Sequence, residues 1–206
     1  EIIETFNGRN KYIVLARLSR SIYYETIKKR KQNVVDTSLD LIKNLDQNFS
    51  GSTFTKLSFA MENINKFLDE PIIVEYPENS GKKKNLFSLI QNLITDYLDR
   101  IHIKLDPLTL NTVLGLPINT SIKVNVADSK TGNPLSNIPL NGGLGNEKGI
   151  LTSNTDEDGN AEFMITRLSS KLPLQSFNVS IDYKKLFEDK SDFYTNSFVK
   201  ETVRVK

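Results

Sequence analysis

Three short stretches carry residue types that chemistry uses. In the first, Asn154, Asp156, Asp158 and Gly159 fall on positions one, three, five and six of a calcium loop. There, short oxygen-bearing side chains converge on a cation and a glycine permits the sharp turn. Position twelve is Ile165 instead of a bidentate glutamate, and the flanking pattern is that of strands rather than helices. The reading is a strand-connecting turn, with a weak calcium site completed by Glu157 or Glu162 as the sharper alternative. The second stretch, Asn141 to Asn146, is glycine-rich. It lacks the spacing of a dinucleotide loop and the Gly-Lys-Ser/Thr end of a phosphate loop. It reads as a flexible inter-strand loop, and loops on a rigid scaffold are where partners bind. Gly142, Gly143, Leu144, Gly145 and Asn146 are therefore the candidate ligand or partner residues. The third is the lone histidine, His102, with no Gly-x-Ser-x-Gly elbow to accompany it.

No catalytic residue emerges from these stretches, and no metal or cofactor is expected. With no cysteine in the 206 residues, thiolate chemistry, disulfides and Cys-ligated metals are excluded. Basic and acidic side chains nearly balance, 27 against 25. Two basic runs stand out, Lys28-Lys29-Arg30-Lys31 and Lys82-Lys83-Lys84, and both read as solvated surface. The functional alternative for them is an anionic surface such as lipid headgroups. Acidic residues at Asp36, Asp40, Asp46, Asp69 and Glu70 argue against nucleic acid. No apolar run reaches the ~20 residues that span a bilayer. Glu1-Ile2-Ile3-Glu4 carries acid where a secretory leader carries base, so the chain is expected to be cytosolic or a mature or trimmed fragment.

The elements that must position these residues divide near residues 102–106. Tyr12 to Leu18 is an apolar strand, with Phe6 to Lys11 as a turn that lets Glu1 to Phe6 pair back on it. Ser19 or Ser21 is placed to cap a helix running from about Ile22 to Gln47. After a break at Asn48 to Ser52, a second helix capped by Ser52 or Thr53 carries the stripe Phe54, Leu57, Met61, Ile64 and Leu68. The short connection implies an antiparallel helical hairpin. Pro71 stops it, Ile72 to Tyr76 is extended, and Pro77 to Lys84 is a solvated, protease-sensitive loop. Leu86 to Ile101 has the broad apolar face of a third helix. Beyond it the period becomes two, as in Ile101 to Leu105, Ile122 to Val126, Phe177 to Ile181 and Val199 to Val205. The class is α+β: a helical domain over 1–102, with three helices and one N-terminal strand, then an antiparallel Ig-like β-sandwich over 103–206.

Two blocks of residues carry a resemblance. Gly132-Asn133-Pro134-Leu135, with Leu140 where the pattern has Val, and then Thr155-Asp156-Glu157-Asp158-Gly159-Asn160-Ala161 are similar to the "G-x-P-L-x-x-x-x-V" and "T-D-x-x-G-x-A" segments of extracytoplasmic bacterial Ig-like and prealbumin-like domains. In the N-terminal half, Tyr12 to Arg20 followed by Tyr23-Tyr24-Glu25 resembles the last strand and following helix of "LPP-twenty" envelope lipoproteins. Lys31 to Leu68 also looks like one tetratricopeptide-type hairpin, with the small residues of its helix crossing at Ser38 and Ala60. These resemblances imply a non-catalytic scaffold or adaptor of the cell envelope, in the periplasm or on the outer-membrane surface, that binds other envelope proteins. Any membrane anchor would come from a region before Glu1. The alternative they leave open is a module that binds saccharide or cell-wall polymer at loops Gly142–Asn146 and Leu168–Pro173.

Overall fold

The structure is a computed structural model that describes residues 2–8, 11–17, 19–67, 71–111, 120–145, 151–166, 175–188 and 200–205. It combines helices with antiparallel sheets, the α+β class that the change of period announces. Strands β1 (Ile2–Gly8) and β2 (Lys11–Ala16) form an antiparallel ribbon, so the segment before Tyr12 does pair back on the strand that follows, and the single N-terminal strand expected of the helical domain becomes two. Helix α1 runs over Arg20–Ile42 and is followed by a 3-10 turn at Leu45–Asn48, which ends the helix earlier than the apolar spacing suggests. Helix α2 (Gly51–Asn65) starts before Ser52: Thr53 accepts the N–H of Ser50 in its first turn. Pro77 to Lys84 is partly a hairpin, because β3 (Ile73–Glu75) pairs with β4 (Lys83–Asn85). Helix α3 (Leu86–Asp99) follows at once, capped by the Asn85 side-chain oxygen, which accepts the Ser88 N–H at 3.1 Å.

The second half builds two sheets. One contains β5 (Ile101–Asp106), β7 (Thr120–Asp128) and β10 (Asn160–Ile165), with β7 in the middle. The other contains β6 (Thr109–Leu110), β8 (Pro139–Leu144), β9 (Leu151–Asn154), β11 (Gln175–Ile181) and β12 (Lys200–Val205), in the order β6-β12-β11-β8-β9. All pairings in both are antiparallel except β6 with β12. A short helix α4 (Tyr183–Leu186) follows β11. In β5 and β10 alternate residues are buried, the period that the sequence shows.

Apolar burial is continuous from the helices into the sheets. Ser38 of α1 and Ala60 of α2 are fully buried where these helices cross, and the Ser38 hydroxyl donates to the Ala60 carbonyl at 3.4 Å. Small residues there let two backbones approach. Phe54 of α2 packs edge-on against Phe187, just after α4, at 5.7 Å between ring centres. Gly51 meets the sheets through main chain: its N–H donates to the Ser136 carbonyl at 2.9 Å, and a Cβ there would lie 1.8 Å from the Asn137 carbonyl oxygen. Only glycine fits. Between the sheets, the rings of Phe163 and Phe177 meet at 5.6 Å over Gly142.

The acidic turn is held from behind to the connection between β7 and β8. Thr155 is buried; its hydroxyl donates to the Leu135 carbonyl at 2.7 Å and accepts the Ile138 N–H at 2.9 Å. Both main-chain groups would be buried without partners if that hydroxyl were lost. Thr155→Val is therefore expected to lower unfolding stability by about 1–3 kcal/mol, with Thr155→Ser retaining more of it, as read from urea-denaturation midpoints.

Candidate functional site

The acidic turn has its own uses for its carboxylate. One oxygen of Asp156 accepts the N–H of Asp158 at 3.0 Å and that of Asn160 at 2.8 Å. Gly159 has φ +72°, and a Cβ on it would lie 2.4 Å from the Val126 carbonyl oxygen. Glycine is thus required by both conformation and space. Among the described residues no group of three His, Cys, Asp or Glu side chains could hold a metal ion. His102 lies on the exposed face of β5.

Gly142, Gly143 and Leu144 belong to β8 rather than to a loop. Gly142 is buried because strand β8 passes beneath the Phe163 and Phe177 rings, where an ideal Cβ would come within 3 Å of both; the glycines here serve close packing. Leu144 is also buried, Gly143 is half-buried, and Gly145 is exposed at the strand's end with φ +26°. Asn146 and Leu168–Pro173 lie outside the described residues.

Two features escaped the sequence reading. The first is an ion cluster around Arg100, at the C-terminal cap of α3. Its Nε donates to one carboxylate oxygen of Asp128 at 3.0 Å and its Nη2 to the other at 2.7 Å, while Nη1 reaches Asp46. The guanidinium lies 4.8 Å from the centres of both the Phe49 and Tyr97 rings, a cation–π contact on each. Asp128 also accepts from the Lys130 N–H at 3.0 Å and the Thr131 hydroxyl at 2.7 Å. The Arg100 hydrogen bond and these donors hold the Asp128 carboxyl well below the usual carboxylate range. Asp46 is also lowered, chiefly by Arg100. Arg100 is stabilised as a cation by its bonds to Asp128 and Asp46. Burial pushes the Tyr97 hydroxyl up, with the Asp46 charge adding to it. A committed cation and weakly basic carboxylates make a clamp rather than a proton-transfer centre.

The second feature is a groove between α1 and the β3 segment. Two adjoining hollows of about 420 and 550 Å³ share Asp36, Leu39 and Glu75. The α1 wall runs from Lys28 to Lys43, about 22 Å at 1.5 Å per residue. Val35 and Leu39 form apolar ground; the opposite wall is Pro71 to Glu75, then Tyr76 to Glu78. Lys28 and Lys31 lie toward the Pro71 end, whereas Asp40, Lys43 and Glu78 lie toward the other. There Lys43 and Glu78 pair at 3.5 Å across the groove, both well exposed. Tyr76 is backed by Lys84, 5.7 Å from its ring centre, and its hydroxyl is pushed up by burial and by the Asp46 charge. The groove thus ends beside the Arg100 cluster. Helical spacing at 28, 31/32, 35/36, 39/40 and 43 was the available sequence signal, but nothing in the sequence marks the wall that faces it.

No protein-family model matches the chain, and no curated protein matches it. A solved structure of WR4, a C. elegans MSP family member, is similar over 50% of this chain and 94% of its own, at 15% identity and a TM-score of 0.32. Among the described residues no helix is long and apolar enough to cross a membrane.

The clamp carries its own test. Arg100→Leu would leave the Asp128 carboxylate, which is 2% exposed, with only the Lys130 N–H and the Thr131 hydroxyl, and is expected to cost about 2–4 kcal/mol in urea unfolding at neutral pH. Because Asp128 has a depressed folded-state pKa, the unfolded chain takes up its proton first. The clamp's contribution is complete above the ordinary Asp value of about 3.9 and is lost as pH falls further below it. Stability measured from about pH 6 down to pH 2 should drop steeply at the acid end in the natural chain and more shallowly in Arg100→Leu.

Proposed function

We propose that this chain is a non-catalytic scaffold or adaptor of the bacterial cell envelope, at the periplasm or outer-membrane surface, that docks another envelope protein. In this reading residues 1–102 form the helical docking part and residues 103–206 an Ig-like sandwich that carries it. The observation that carries the docking role is the groove along α1. It has an apolar floor of Val35 and Leu39, walls of opposite charge toward its two ends, and a length of four helical turns. The sandwich reading draws support from the two antiparallel sheets joined through Phe163 and Phe177, and the envelope setting from the two turn motifs quoted above.

Affinity capture from the native cells with the tagged chain tests this reading. Asp36→Lys combined with Asp40→Lys reverses charge on the groove wall, and Lys123→Glu reverses charge on exposed β7 as a control. A specific envelope protein should be recovered by the natural chain and by Lys123→Glu, at least tenfold less by the groove variant. Recovery that is equal for all three, or restricted to cytosolic proteins, counts against the proposal.

A further inference from the structure

The wall opposite α1 is a strand with one edge in use. Strand β3 pairs with β4 through Ile73↔Asn85, Val74↔Lys84 and Glu75↔Lys83. Leu86 donates its N–H to the Ile72 carbonyl at 2.8 Å, and Tyr76 donates to the Lys82 carbonyl at 3.0 Å. Residues 72, 74 and 76 therefore turn their main-chain groups toward β4. In an antiparallel ladder the alternate residues turn theirs the other way, so the N–H and C=O of Ile73 and Glu75 point to the opposite edge. The groove is lined by Pro71 to Glu75 without a gap and by no residue of β4, so the edge it meets is this second one. Among the described residues, neither Ile73 nor Glu75 has a main-chain partner there. Ile73 also leaves an apolar side chain 57% exposed on that strand. Proteins commonly block such edges with charge, proline or a covering element. Here the covering element, α1, stands off by the width of a groove.

We infer that the groove takes an extended polypeptide segment of the partner, which adds as a strand to the free edge of β3 with α1 as its far wall. This rests on the docking role proposed above and names the chemistry of what docks. Main-chain donors and acceptors at strand spacing match the backbone of a peptide, and that is how strand addition achieves affinity. About 22 Å of groove holds six or seven extended residues at roughly 3.3 Å each. Charge sets the ends. The segment is acidic toward Lys28 and Lys31, and basic toward the far end, where Asp40 and Glu78 stand with Lys43, while Asp36 and Glu75 line both hollows between them.

The test is a random ten-residue peptide display library panned on the full chain. The enriched peptides are then synthesised and their Kd measured by fluorescence anisotropy. Ile73→Pro removes the edge N–H while leaving the β3–β4 ladder, because proline is tolerated where that N–H faces outward. Far-UV circular dichroism and Tm check its fold. The charge-reversed pair Lys28→Glu with Lys31→Glu, on exposed or half-exposed helix positions, serves as the second variant. Enriched peptides should be acidic at one end and basic at the other. They should bind at least tenfold more weakly to Ile73→Pro and to the lysine pair. Panning on the lysine pair should select peptides that have lost the acidic end. Binders indifferent to both variants would overturn strand addition while leaving the docking role standing, as would a failure to enrich any peptide alongside successful capture of a groove-dependent partner. If groove-dependent capture also fails, both readings fall.

Discussion

A buried carboxylate is the constraint on which the rest of this structure turns. Asp128 ends β7 almost fully shielded from water, and an unpaired charge in that position would cost several kcal/mol. Arg100 meets it with a planar fork and adds a bond to Asp46 and two aromatic faces. One side chain therefore ties the end of α3, the end of β7, the 3-10 turn after α1 and the ring of Phe49. The adjoining main chain repeats the tie, since the Ser129 N–H donates to the Arg100 carbonyl at 2.8 Å. The angle between helices and sheets is then a matter of hydrogen-bond geometry as well as of apolar packing.

The groove is what remains when these demands are met. Helix α1 has 23 residues, and only Ser38 and Ile42 on it are fully buried. Its earlier turns carry Ile22, Tyr23 and Tyr24 more than half exposed. The β3–β4 hairpin is held on the opposite side by Ile72 and Val74, which are buried, and by the cap of α3. Two supports on different foundations leave a channel between them. The charge of Asp46, bound to Arg100, is felt at the Tyr76 hydroxyl, so the clamp lies near that end of the channel.

Local patterns were legible in the sequence, and long-range polar partnerships were not. The stripe Phe54, Leu57, Met61 and Ile64 marks α2, and the alternation in Ile101 to Leu105 marks β5, because burial imposes a period that is written in adjacent residues. Ser38 and Ala60 were picked out as the small residues of a helix crossing, and that is where they lie. The stretch from Asn141 to Gly145 misled, since glycine suggests a loop while here it makes room for the rings of Phe163 and Phe177. Those rings belong to strands far along the chain, so their demand on Gly142 leaves no local trace. The same holds for Arg100 and Asp128: each looks like an ordinary surface residue until the fold brings them together. The free edge of β3 was hidden for a related reason, as a three-residue strand is too short to show a period.

The main-chain contact at Gly51 links the order in which the parts can be completed. The first-turn amides of a helix have no partners within it. The amide of Gly51 finds its acceptor on Ser136, a residue supplied by the turn between β7 and β8. Helix α2 thus receives part of its cap from the sheets, across a long span of sequence. Closing so long a loop is slow, because its entropy must be lost before the contact forms. Until the turn between β7 and β8 is in place the Gly51 amide lacks this acceptor, so the completed cap of α2 is a property of the whole fold rather than of the helical hairpin.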